Sequence, residues 1–125
     1  DNGYVETKRL LNYEEIPSAL FTTRDLITLG AFQAINEEDL TIPEDISIVS
    51  FDDVDFAPFL NAPLTCVTQP KDLIAKTAVK LLIDDLTGQE SREKSEIVLS
   101  TKLLIRNSVL KKNIKTKIPA EVSAG

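Results

Sequence analysis

The sequence ISIVSFDD, residues 46–53, decides the fold of this chain. Branched and aromatic side chains at 46–51 predict a buried strand, and the preceding residues LTIPED predict a loop that leads into it. Two carboxylates, Asp52 and Asp53, follow the strand directly. Ligands of open parallel sheets bind at the carboxyl ends of the strands. The stretch therefore predicts a central strand of an α/β sheet and a polar site at its end.

Helices and strands alternate along the rest of the sequence, which predicts βαβ crossovers and an α/β fold with a doubly wound parallel sheet. Pro70 and Gly88 delimit the longest helix, and its apolar residues predict one buried stripe. The predicted stripe of this helix consists of Ile74, Ala78, Leu81, Leu82, Ile83 and Leu86. Near the start of the chain we expect a short buried strand at 18–23. The predicted elements are helices at 4–13, 25–36 and 71–87, and strands at 18–23, 46–51, 64–68, 97–99 and 103–105.

Composition excludes several classes of function. Fourteen Lys and Arg against 20 Asp and Glu give a net charge of −6, which argues against nucleic-acid binding by these 125 residues. The sequence has no histidine, so His-dependent catalysis and His-rich metal sites are excluded. We expect no enzyme, because the sequence also lacks a glycine-rich phosphate loop and a nucleophile elbow. No apolar run approaches the roughly 20 residues that span a bilayer, so no membrane association is expected. The single cysteine, Cys66, is expected to be a buried, inert thiol.

Four segments together resemble the LacI/GalR family of bacterial transcription regulators. They are PSALFTTRDLITLGAFQAI (17–35), IPEDISIVSFDD (42–53), PLTCVTQP (63–70) and LLIRNS (103–108), and the resemblance runs over residues 3–108. It implies the C-terminal lobe of a type I core similar to periplasmic binding proteins. The DNA-binding headpiece of such regulators does not occur in this sequence. The sequence also has no methionine, so we expect these residues to belong to a longer protein.

The resemblance implies a division of the chain. Residues 1–68 would form most of the C-terminal lobe, and residues 69–102 would return to a largely missing N-terminal lobe. Residues 103–110 would add the final strand of the C-terminal lobe. The polar composition of residues 111–125 predicts a flexible tail.

Three residues are assigned to an effector site by the resemblance. Asp52 matches an acidic residue that accepts hydrogen bonds from effector hydroxyls or amines, and Gln69 falls at the crossing between lobes. Arg24 stands where the family most often has Asn. Its guanidinium suits a carboxylate or phosphate, which favours a sugar acid or sugar phosphate. An ion pair of Arg24 with Asp52 or Asp25 is the alternative.

The remaining acidic residues near these positions have structural interpretations. Asp25 is expected to stabilise the N-terminus of its own helix. Asp53 is expected to bind loop amides rather than a ligand. With Asp52 and Asp55 it resembles a calcium loop only superficially, because the glycine and closing Glu of an EF-hand are absent, and we expect no metal and no cofactor.

The resemblance also implies a function and an assembly. We expect a cytoplasmic sensor of a small polar metabolite (sugar, sugar acid or sugar phosphate), which alters operator affinity in an intact homodimer. Operator DNA would be bound only through the missing headpiece. A sugar-binding component of a transport system is the alternative with the same fold. The residues expected at a dimer interface are Leu29, Phe32, Phe56 and Leu60.

Overall fold

The computed structural model describes residues 2–88 and 96–111. Along the chain the elements are α1 (Asn2–Leu11), β1 (Ala19–Thr22), α2 (Asp25–Glu37), β2 (Ser47–Phe51), a 3₁₀ turn (Ala57–Phe59), β3 (Thr65–Thr68), α3 (Lys71–Thr87) and β4 (Lys102–Leu104). The structure confirms the predicted bounds of α3. Gly88 ends this helix with φ at 69°, in the left-handed region that glycine adopts without strain.

The described strands form one sheet in the order β1-β2-β3-β4. β1, β2 and β3 are parallel, as predicted, whereas β4 runs antiparallel to β3. The antiparallel direction of β4 follows from where the chain returns, because Lys102 at the start of β4 lies opposite Thr68 at the end of β3. The chain leaves β3 and enters β4 at the same end of the sheet, so β4 runs in the direction opposite to β3. The sheet is therefore mixed, with mostly parallel strands.

The core lies between α2, the sheet and the loop that follows β2. Ile35, Ile46, Ile48 and Leu64 are fully buried there. α1 packs closely on α2, because a Cβ added to Gly3 would lie only 2.4 Å from the carbonyl oxygen of Ile27. The apolar cluster comprises Leu11, Phe32, Ile35, Ile46, Ile48, Val54, Ala57 and Leu64.

Several expectations about burial were wrong. β1 is an edge strand of the described sheet, and Phe21 on it is 59% exposed. No residue of α3 is buried: Leu82 is 59% exposed and Leu86 is 75% exposed. The apolar pattern of α3 is real, but nothing in residues 2–88 and 96–111 covers it.

The predicted strand at 97–99 does not form. Its apolar residues have the intrinsic preference for a strand, but strand preference depends on a pairing neighbour. The predicted tail falls outside the described residues from position 112 onward.

Cys66 is buried and free, as predicted. Burial is the main cause that raises the pKa of its thiol.

No helix within residues 2–88 and 96–111 has the length and apolar character needed to cross a membrane.

Candidate functional site

Asp52 lies at the carboxyl end of β2, where the sequence predicts a site. Its φ of 74° lies in the left-handed region, where a residue with a side chain is strained by about 1–3 kcal/mol. Three hydrogen bonds hold this geometry. The Asp52 amide donates to the carbonyl of Val67 at 2.8 Å, and the Asp52 carbonyl accepts from Ser50 Oγ at 3.0 Å. Gln69 Nε2 donates to Asp52 Oδ1 at 2.7 Å, which orients the carboxylate.

Asp53 has a structural role, although its partner is not the one expected. Its carboxylate accepts two hydrogen bonds from the guanidinium of Arg106, at 2.8 and 3.0 Å, rather than bonds from loop amides. Arg106 also donates to the carbonyl of Leu64 at 2.8 Å. The adjacent guanidinium holds the pKa of Asp53 below its usual value, and the carboxylate raises the pKa of Arg106. The pair therefore stays fully charged near neutral pH.

Arg24 precedes α2, at the carboxyl end of β1. Its carbonyl accepts hydrogen bonds from the amide and the hydroxyl of Thr28, both at 2.9 Å, which fixes the backbone at this position. Its side chain is exposed, and within residues 2–88 and 96–111 the guanidinium makes no hydrogen bond or ion pair. The ion pair with Asp52 or Asp25 is therefore not formed.

Arg24 and Asp52 line one cavity of about 640 Å³, open to solvent. This volume falls within the range of about 300–1,000 Å³ that is usual for small-molecule sites. Gln69 does not line this cavity and is connected to it only through its hydrogen bond to Asp52. The other lining residues, which sequence reasoning did not select, are Asn2, Thr23, Asp25, Leu26 and Ile27. Thr23 could have been found, because it immediately precedes Arg24 at the end of a predicted strand.

What the arrangement can do chemically is bind a polar molecule. Arg24, which follows β1, presents a cationic donor fork, and Asp52, which follows β2, presents a carboxylate that accepts hydrogen bonds. Among the residues that the structure describes, no cluster of three or more acidic or cysteine side chains could hold a metal ion.

A second cavity, of about 350 Å³, lies beside the C-terminal half of α2 and contains two of the residues expected at a dimer interface. Phe32 and Leu60 both line it, although Phe32 is also buried in the core of this chain. Phe56 is partly buried against the core. Leu29 is 46% exposed, and Phe59, which lines the cavity, is 86% exposed. The helix and the loop after the aspartates are thus adjacent.

Residues 1–109 match the periplasmic binding protein-like domain family. The chain belongs to this family. Curated relatives of this periplasmic binding protein-like domain include the HTH-type transcriptional repressor PurR of Haemophilus influenzae, strain PittEE, which is 38% identical over 111 residues. The match covers 87% of this chain and 33% of that repressor. The domain thus spans about a third of the length of such relatives.

Solved structures of LacI-family proteins are also similar to this chain. A Lac repressor dimer bound to operator and the anti-inducer ONPF is 32% identical, with a TM-score of 0.77, over 87% of this chain and 37% of that chain. A LacI family transcriptional regulator from Enterococcus faecium with bound ribose is 31% identical, with a TM-score of 0.76, over 87% and 40%. The periplasmic binding protein-like domain described here therefore corresponds to part of the effector-binding core of LacI/GalR regulators. Its relatives are repressors, not enzymes.

Proposed function

We propose that this chain is the sensing part of a LacI-type transcription regulator. A small polar effector, a sugar or a sugar derivative, binds at the cavity of Arg24 and Asp52 and changes the affinity of the intact regulator for its operator. Such coupling typically amounts to about 1–3 kcal/mol and requires that the effector bind two conformations with different affinity. A regulator that acts on DNA would work in the cytoplasm.

One observation carries this proposal. Arg24 follows β1 and Asp52 follows β2, two parallel neighbours, and both side chains line the same cavity at the carboxyl edge of the sheet. Hydroxyl-rich ligands need donors and acceptors close together, because a polar group left unpaired in a desolvated site is costly. Asp52 would accept from effector hydroxyls, Gln69 would hold its carboxylate, and Arg24 would donate.

A second lobe completes the cleft in this proposal. Residues 1–68 form most of one lobe, residues 69–102 pack on a second lobe, and residues 103–110 return as the final strand. The exposed apolar side chains of α3 support this division, since burial of each large one contributes about 1.5–3 kcal/mol. An apolar groove of about 470 Å³ beside Val79 and Ile83 is where the second lobe would contact α3.

The regulator would act as a homodimer. The proposed interface contains Leu29, Phe32, Phe56 and Leu60, with Phe59 added because of its exposure. The support is the adjacency of α2 and the loop after β2 at the second cavity. The Lac repressor neighbour is described as a dimer, which is consistent with this assembly.

The test is DNA binding measured by fluorescence anisotropy, with a DNA site selected from a random pool by the full-length regulator. We expect residues 1–125 alone to leave that DNA unbound, because the chain is acidic and operator contacts belong to the headpiece. Full-length protein should bind, and an effector found by thermal-shift screening should change the Kd at least about fivefold. Salt-resistant binding of DNA by residues 1–125, or an effector without influence on the Kd, would contradict the proposal.

A further inference from the structure

We infer that the cavity lined by Arg24 and Asp52 binds a hydroxylated anion, which is a ligand that carries both hydroxyl groups and an oxyanion. In this complex Arg24 binds the oxyanion. The oxyanion is a carboxylate or a phosphate ester. This inference rests on the proposed function, because it concerns the ligand of the same cavity. It narrows that ligand from a sugar or sugar derivative of any charge to an anionic one.

The first argument is the pairing of the arginines. Within the described ranges 2–88 and 96–111, Arg9 pairs with Glu6 at 2.8 Å and Arg106 pairs with Asp53. The guanidinium of Arg24, in contrast, has no partner there and lines the cavity. A guanidinium is permanently charged and presents its donors as a fork that fits carboxylate and phosphate oxygens two at a time. A ligand oxyanion would supply the missing partner.

The second argument is that two carboxylates line the same cavity without neutralising Arg24. Asp25 and Asp52 are both lining residues, yet neither forms an ion pair with its guanidinium. Asp52 Oδ1 is occupied by Gln69, which leaves Oδ2 to accept from a ligand. A bare inorganic anion would bind Arg24 but would also face both carboxylates. A ligand with hydroxyl donors near Asp52 and an oxyanion near Arg24 satisfies both ends.

A neutral sugar satisfies only one end of the cavity. It can donate to Asp52, but its hydroxyl oxygens accept from Arg24 as single, uncharged acceptors. A carboxylate or phosphate, in contrast, can accept two parallel hydrogen bonds from the guanidinium fork, and such a bidentate pair adds both energy and geometric specificity. Arg24 is therefore the residue that would separate anionic sugars from neutral ones of the same size.

The experiment compares matched ligands by titration calorimetry on the full-length protein. The probes are glucose, gluconate and glucose 6-phosphate, then ribose and ribose 5-phosphate, with inorganic phosphate as the bare anion. The variants are Arg24→Gln, which removes the charge, and Arg24→Lys, which keeps the charge without the fork. Arg9→Gln is the control, because it removes the same charge from α1 outside the cavity. Asp52→Asn tests the proposed function separately.

We expect at least one anionic probe to bind at least about tenfold more tightly than its neutral partner and than inorganic phosphate. Arg24→Gln should abolish this preference, Arg24→Lys should retain part of it, and Arg9→Gln should leave it intact. Gluconate and glucose 6-phosphate distinguish the two oxyanions. If neutral sugars bind through Asp52 and Arg24→Gln changes nothing, the inference falls while the proposed function stands. The absence of binding by every anionic probe would also overturn it.

Discussion

Arg106 and Asp53, 53 positions apart in the sequence, form an ion pair with two hydrogen bonds, at 2.8 and 3.0 Å. The pair joins the loop after β2 to the chain that follows β4. Arg106 also holds the carbonyl of Leu64, so three segments meet at one guanidinium. Because Asp52 precedes Asp53, this pair anchors the loop that carries the proposed effector carboxylate.

Removal of either partner should destabilise the domain. Arg106→Gln and Asp53→Asn each leave a partly buried charge without its counter-ion, and we expect the free energy of unfolding to fall by about 1–3 kcal/mol. Urea denaturation at pH 7 measures this change. Arg9→Gln breaks an exposed pair within α1 and should change the free energy of unfolding by less than about 0.5 kcal/mol. Equal effects of Arg9→Gln and Arg106→Gln would contradict the assigned role.

The stabilisation by this pair should also depend on pH. The pKa of Asp53 is lowered in the folded protein by Arg106, so its contribution is fully present above the unfolded pKa of about 3.9 and is lost as the pH falls through the folded value. The difference in free energy of unfolding between wild type and Arg106→Gln should therefore be constant from about pH 7 to 5 and shrink only in stronger acid. A difference that grows on acidification would have the wrong sign.

Asp52→Ala should weaken effector binding without unfolding the core. Asp52 is strained and half-buried, and its carboxylate is held by Gln69 at the cavity. Loss of a charged acceptor should raise the Kd at least about tenfold for whichever sugar or sugar derivative binds the full-length protein. Asp55→Ala is the matched control, since Asp55 is exposed and does not line the cavity. An unchanged Kd in Asp52→Ala would remove Asp52 from the site.

A feature of the fold or of the candidate site could be predicted from the sequence where neighbouring residues determine it. The bounds of α3 follow from Pro70 and Gly88, which act within one helical turn. The position of Asp52 follows from the strand before it. The Asp53–Arg106 pair has no such local pattern, because the two side chains meet only after β3 and β4 have paired.

The errors have a related cause. A repeat of apolar residues such as Leu82 and Leu86 indicates that a helix has an apolar face, but it does not indicate what covers that face. The expectation of burial in α3 therefore failed within the described residues. In the same way, strand preference at Val98 could not produce a strand without a neighbour to pair with.

Replacement of Leu82 tests what covers α3. If α3 packs on a second lobe, Leu82→Ser in the full-length protein should lower the free energy of unfolding by about 1.5–3 kcal/mol, because an apolar side chain is removed from that contact. If the helix stays exposed, as it is within the described residues, the change should remain below about 0.5 kcal/mol. Denaturation of the full-length protein distinguishes the two results.

Self-association tests the proposed dimer interface. Sedimentation at micromolar concentration should show a dimer, and Leu29→Lys should weaken it because a charge would enter an apolar contact. Gln33→Lys adds the same charge to an exposed, already polar position of α2 and should have a smaller effect. A wild-type protein that sediments as a monomer, or equal effects of the two variants, would argue against this interface.

Ser108 connects a late segment of the chain to two earlier strands, which has a consequence for folding during synthesis. It is fully buried, its hydroxyl donates to Ile48, and it accepts from the amide of Thr65. During synthesis β2 and β3 are made before Ser108, which follows Thr65 by 43 positions. Until that residue emerges, those two backbone groups lack their native partners, and the nascent chain is vulnerable to mispairing and aggregation.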